Sequence, residues 1–169
     1  MILAKVVAVC TSQKKGEVKK PVDSAALLTG YGLEGDAHAG PWHRQISLLG
    51  VESVKKLNLC TISPSLYGDD GNRLSNGENP AEIHSRLITP GAFAENILTE
   101  GICLYTLPVG TRLQIGNALL EITQIGKECH KGCAIRTITG DCVMPREGVF
   151  AIVLLGGVIR PGDILEIVK

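Results

Sequence analysis

The chain has 169 residues, in which seventeen Lys plus Arg balance seventeen Asp plus Glu, and that neutrality removes any global electrostatic argument for nucleic acid or an anionic membrane as partner. With 44% hydrophobic and 20% charged residues, the composition excludes disorder and fibrous repeats. A chain of this length buries about two-thirds of its extended surface on folding, so one soluble domain with a substantial core is expected, without disulfide staples.

The first apolar run, "ILAKVVAVC", is only about ten residues long, contains Lys5 and has no charged stretch before it. It reads as a first β-strand, not as a signal peptide or a membrane span. The expected compartment is therefore the reducing cytoplasm, where clustered cysteines bind metal or do chemistry more often than they pair. Further strands are expected at "RQISLLG", "SRLIT", "TRLQIG", "ALLEITQIG", "GVFAIVLLGG" and "GDILEIVK", rich in Val, Ile, Leu or Thr and bounded by Gly or Pro. Gly116 and Asn117 supply a tight turn between two alternating segments, which predicts a hairpin, and Pro161–Gly162 turns into the last strand. Helical spacing is found in "GVESVKKLNL", where Val51, Val54 and Leu57 recur, and a shorter helix is expected in "PGAFAENIL". Residues 61–85 are rich in Gly, Asn, Asp, Ser and Pro and read as a long surface excursion within a mainly β domain.

Three polar clusters interrupt this background. In "GLEGDAHAGPWHRQIS", Gly32, Gly35 and Gly40 punctuate Glu34, Asp36, His38, His43 and Arg44, groups able to bind metal or a polar ligand; the competing reading is a surface loop whose acids cap turns. Trp42 reads as a packing anchor. In "TPGAFAENILTEGI", Glu95 and Asn96 read as caps on pattern alone. The third cluster, "IGKECHKGCAIRTITGDC", holds Cys129, Cys133 and Cys142 among Lys127, His130, Lys131 and Arg136. Zinc bound by Cys129, His130 or Cys133 together with Cys142 is one reading, although the C-x-x-x-C spacing lacks the paired C-x-x-C knuckles that make a zinc site specific. A reactive thiolate is the other, since nearby positive charge favours the nucleophilic, metal-ligating form. Cys10, Cys60 and Cys103 lie in apolar runs without basic neighbours and read as small buried hydrophobes. Arg146, in "MPREGVFA", can grip an anion or pair with a surface carboxylate.

Taken in order, "GLEGDAHAG", "WHRQIS", "PGAFAENILTEGI", "LPVGTRLQIG", "EITQIGKECHKGC", "MPREGVFA" and "RPGDILEI" resemble the MOSC domain, the family named after the C-terminal domain of molybdenum cofactor sulfurase. The resemblance is to stand-alone bacterial members, which lack the pyridoxal-phosphate-dependent sulfurase domain. It implies one β-barrel-like domain over residues 1–169 with a few short helices, a protein that binds molybdenum cofactor (molybdopterin) or carries sulfur through a cysteine. That cysteine is Cys133 or Cys129, acting as catalytic thiolate and metal ligand. By position, Asp36, His38, Arg44, Ser47, Glu95 and Asn96 would contact the cofactor, with Lys131 or Arg146 on its phosphate. One departure is Ala94, where glycine is the commoner residue.

Three functions follow as expectations: a cofactor-binding or sulfur-carrier domain with a sulfur donor as partner; a small molybdenum reductase of N-hydroxylated compounds, fed by a separate electron-donor protein because no flavin or ferredoxin motif is present; and a non-catalytic zinc module.

Overall fold

A computed structural model describes residues 4–56, 89–129 and 142–168. Among the described residues eleven strands account for most of the regular structure: β1 (Ala4–Thr11), β2 (Lys20–Val22), β3 (Ala25–Leu28), β4 (Gly32–Leu33), β5 (Ile46–Gly50), β6 (Ile97–Glu100), β7 (Arg112–Ile115), β8 (Ala118–Ile125), β9 (Val149–Leu155), β10 (Gly157–Ile159) and β11 (Ile164–Val168). Among the described residues the helices are short: α1 (Val51–Lys55), α2 (Met144–Glu147) and a single 3₁₀ turn at Leu104–Thr106.

Seven strands close into a barrel in the order β11-β7-β8-β9-β5-β6-β1, with β1 returning to β11. All the pairings are antiparallel except β5 with β6. Closure satisfies the backbone groups that an open sheet leaves at its edges. β1 belongs to three pairings: Ala4 and Lys5 meet β11, Val9–Thr11 meet β2, and β6 runs along Lys5–Val9. Strands β10, β3 and β4 form a separate small sheet.

The alternation of side chains along strands gives two cores. Val6, Val9, Ile46, Leu48, Ile97, Leu113, Ile115, Leu120, Ile122, Val149, Ala151 and Val153 belong to the larger cluster, which fills the barrel. Their neighbours of opposite parity, Ala8, Cys10, Leu49, Leu98 and Phe150, form a second cluster with Ala92, Phe93, Ala94, Cys142, Val143 and Met144. The segment 90–95 and α2 thus cover one outer side of the barrel, so β5 is buried along its whole length. A strand buried on both faces reads as a continuous apolar run, as "ISLLG" does.

The expected strands at β1, β5, β7, β8, β9 and β11 are present, and the Gly116–Asn117 hairpin has Ile115 opposite Ala118, with Gly116 at φ 54°. Two expectations need correction. "PGAFAENIL" is not a helix: a turn at 90–93 leads into strand β6, because Ile97 and Leu98 are needed by the inner and outer cores. Cys103 is exposed rather than buried, since the 3₁₀ turn that follows gives its apolar place to Leu104. The excursion at 61–85, most of "SRLIT", Cys60 and the last three residues of "GVESVKKLNL" lie outside the described residues.

Candidate functional site

The second core ends in polar groups. Ser47 on β5 and Asn96, just before β6, close its edge: Asn96 Oδ1 accepts from the Ser47 backbone N–H (3.1 Å) and from Ser47 Oγ (3.0 Å), while Asn96 Nδ2 donates to the Cys10 carbonyl at 3.2 Å. Asn96 therefore ties β1, β5 and β6 together at one point. A cavity of about 230 Å³ opens there, lined by Lys15, His38, Trp42, Arg44, Ser47, Ala94, Asn96, Lys127, Glu128, Met144 and Phe150.

Its wall is cationic and aromatic. The Arg44 guanidinium lies 4.8 Å from the Trp42 ring centre and 5.7 Å from that of Phe150. Lys15 Nζ stands 5.6 Å from the Trp42 ring and Lys127 Nζ 5.9 Å from that of Phe150. Both aromatic faces are thus flanked by cations, an arrangement that holds positive charge without neutralising it. Arg44 Nε is buried and has no hydrogen-bond partner among the described residues. A buried charged donor left unmet is costly.

The loop carrying Glu95 is held from within. Glu95 accepts hydrogen bonds from the backbone N–H groups of Gly91 (2.6 Å) and Phe93 (3.1 Å). Burial outweighs these bonds and pushes its carboxyl up to about 6. Gly91, at φ 89°, is required: a Cβ there would run into the Lys19 carbonyl oxygen. Ala94, at φ 61°, is the one non-glycine residue among those described that has positive φ.

Asp36 lies one layer below the cavity. Its Oδ1 accepts from Lys19 Nζ at 2.6 Å, from the Ser12 N–H at 3.0 Å and from Thr11 Oγ1 at 3.3 Å; its Oδ2 accepts from the His38 N–H at 3.0 Å. Burial opposes ionisation of Asp36, but hydrogen bonds from His38 and Lys19, with the Lys19 charge, outweigh it and hold the carboxyl well below its ordinary range. The same burial pulls Lys19 down against its partner's attraction. Cys10, beneath the same loop, is pushed up to about 12 by burial and by the neighbouring Glu95 charge, which makes it an inert thiol.

Of the residues expected from sequence, His38, Arg44, Ser47 and Asn96 come together on the cavity wall, whereas Asp36 and Glu95 support it from beneath. Cys129 is half-buried and directly follows the two lining residues Lys127 and Glu128. Cys142 is buried in the second core, two residues from the lining Met144, and Arg146 is exposed on α2. Cys133 and Lys131 lie outside the described residues. Lys15, Phe150 and Met144 line the cavity without any signal in the sequence that sets them apart. Trp42 is more than a packing anchor, since its ring meets two cations and its Nε1–H donates to the His38 carbonyl at 2.8 Å.

Comparison with known proteins adds to this geometry. The MOSC domain model matches residues 35–166. Among solved structures, the chain is similar to the YuaD protein from Bacillus subtilis, with a TM-score of 0.68 and 19% identity over 98% of this chain and 95% of that one. It is also similar to YiiM from Geobacillus stearothermophilus (TM-score 0.61, 21% identity, 98% and 75% covered) and YiiM from Escherichia coli (0.61, 20%, 100% and 71%). At these identities the likeness is one of fold. No curated protein sequence matches the chain.

Proposed function

The chain belongs to the MOSC domain family, and on that premise we propose that the cavity binds the anionic part of molybdenum cofactor, making this a single-domain cofactor-binding or sulfur-carrying protein of molybdenum cofactor metabolism. The observation that carries this reading is the cationic wall of Arg44, Lys15 and Lys127 set beside the Trp42 and Phe150 rings. The donor set suits the group: Arg44, Lys15 and Lys127 would hold its phosphate, beside the Trp42 and Phe150 rings.

The pterin-bound metal would supply the redox or sulfur chemistry. The chain's contribution is the thiolate that ligates metal or carries sulfur, from Cys133 or from Cys129, which follows the lining pair Lys127–Glu128. The partners would be a sulfur donor or an electron donor, and the compartment the reducing cytoplasm that keeps such a thiol available. Among the described residues no helix is long and apolar enough to cross a membrane.

Protein expressed with an intact cofactor pathway tests the proposal. Wild type should carry pterin, and Arg44→Met should lose at least tenfold of it while remaining folded. A wild type that carries neither pterin nor molybdenum, and forms no persulfide with a sulfur donor, overturns it.

A further inference from the structure

The polar cluster under the cavity uses every donor of one buried ammonium. Lys19 Nζ lies 2.6 Å from Asp36 Oδ1, 3.1 Å from Ser12 Oγ and 3.2 Å from His38 Nδ1. A lysine ammonium has three hydrogens and no acceptor, so these three neighbours must all accept. Asp36 does so as a carboxylate. Ser12 is free to accept because its own hydroxyl hydrogen goes to the Lys14 carbonyl at 3.2 Å. The remaining acceptor is His38 Nδ1, which must then present a lone pair to Lys19. The alternative, a hydrogen on Nδ1 donated to Asp36 Oδ2, would span 3.7 Å, too long for a hydrogen bond.

From this geometry we infer that Lys19 is a positioning residue that fixes the neutral His38 ring with its hydrogen on Nε2, so that the cavity His38 lines is given a constant N–H donor. The backbone supports the same setting. The His38 N–H is held by Asp36 Oδ2 and the His38 carbonyl by Trp42 Nε1–H, so the ring is carried on a fixed stretch of chain. The ligand class favoured by such a wall is an acceptor-only oxygen, as on a phosphate or another oxyanion, beside Arg44 and Lys127. The choice of ligand rests on the proposed use of the cavity, but the tautomer does not.

The test is long-range ¹H–¹⁵N correlation spectroscopy of the ligand-free full chain at neutral pH, with His38 assigned by comparison with His38→Gln. The expected result is a protonated Nε2 and a bare Nδ1 in wild type, and a mixture of both tautomers in Lys19→Met. A hydrogen on Nδ1 in wild type, or a folded Lys19→Met with the wild-type tautomer, overturns the inference. Should Lys19→Met fail to fold, wild type still decides: coupling across the hydrogen bond between the Lys19 ammonium and His38 Nδ1 is required, and its absence contradicts the assignment. With inorganic phosphate as probe, His38→Asn, which keeps an acceptor near the Nδ1 position and has no N–H at the Nε2 position, should bind at least fivefold more weakly than wild type, and equal binding contradicts the donor role. Because the tautomer is read without cofactor, its failure is distinct from failure of the cofactor proposal.

Discussion

Lys19 Nζ and Asp36 Oδ1 meet at 2.6 Å with neither side chain reaching solvent. The pair joins the turn after β1 to the glycine-rich loop that carries His38, so the cavity floor depends on it. Removing one partner leaves a buried, uncompensated charge: Lys19→Met should cost about 3–5 kcal/mol in urea unfolding. Replacing both, as in Lys19→Met with Asp36→Asn, which removes the charge and keeps an oxygen acceptor for a backbone N–H of Ser12 or His38, should recover part of that loss. Equal stability of wild type and Lys19→Met would contradict the burial of an ionised pair.

The two buried carboxyls should give opposite pH dependences. Asp36 is held below its ordinary range, so its contribution is present above the unfolded value, about 3.9, and is lost as pH falls toward the lower folded value. Glu95 is raised to about 6 from 4.5, so its contribution is complete below 4.5 and lost as pH rises through 6. That loss is on the order of 2 kcal/mol. Unfolding free energy measured across this window should decline in wild type and stay flat in Glu95→Gln.

Ala94 adopts φ 61° in the turn that lines the cavity, a conformation that costs an L-residue about 1–2 kcal/mol. Ala94→Gly removes this strain at some cost in unfolded-chain entropy, so the net gain should be about 1 kcal/mol. A rise in Tm would check it. Ala94→Val, whose branched Cβ is still less tolerant of positive φ, should lower Tm.

Arg44 should show stability and binding moving in opposite directions. Its buried Nε lacks a partner among the described residues, so Arg44→Met exchanges an unmet donor for an apolar stem of similar length. Thermal unfolding should change by less than about 1 kcal/mol or favour the variant. Calorimetric titration with phosphate should at the same time show binding lost.

Much of the barrel was legible because its signals are local. The alternation in "TRLQIGNALLEITQIG" and the Gly116–Asn117 turn are sufficient for β7 and β8, and β9 announces itself as an apolar run. Strand β6 was hidden because Glu95 and Asn96 before it have the look of helix caps, while their work is done against residues far away in sequence, Ser47 and Cys10. In "QKKGEVKK" the four lysines are alike by pattern, yet Lys19 is buried, Lys15 lines the cavity and Lys14 and Lys20 are exposed. Only the fold, which brings Asp36 beneath one and Trp42 beside another, separates them. Arg44, His38, Ser47 and Asn96, which line the cavity, stand in the family motifs, whereas Lys19, two turns before those motifs begin, has nothing in the sequence to set it apart.

Metal content separates a molybdenum cofactor site from a zinc site. Molybdenum, tungsten and zinc should be determined by elemental analysis in wild type and in Cys129→Ser, Cys133→Ser and Cys142→Ser, each expressed with the cofactor pathway intact. Wild type should hold molybdenum or tungsten, lost in whichever of Cys129→Ser and Cys133→Ser removes the working thiolate and retained in Cys142→Ser, whose side chain is packed in the second core. A wild type that holds stoichiometric zinc and no molybdenum or tungsten, with the zinc lost in all three variants, would contradict the cofactor proposal.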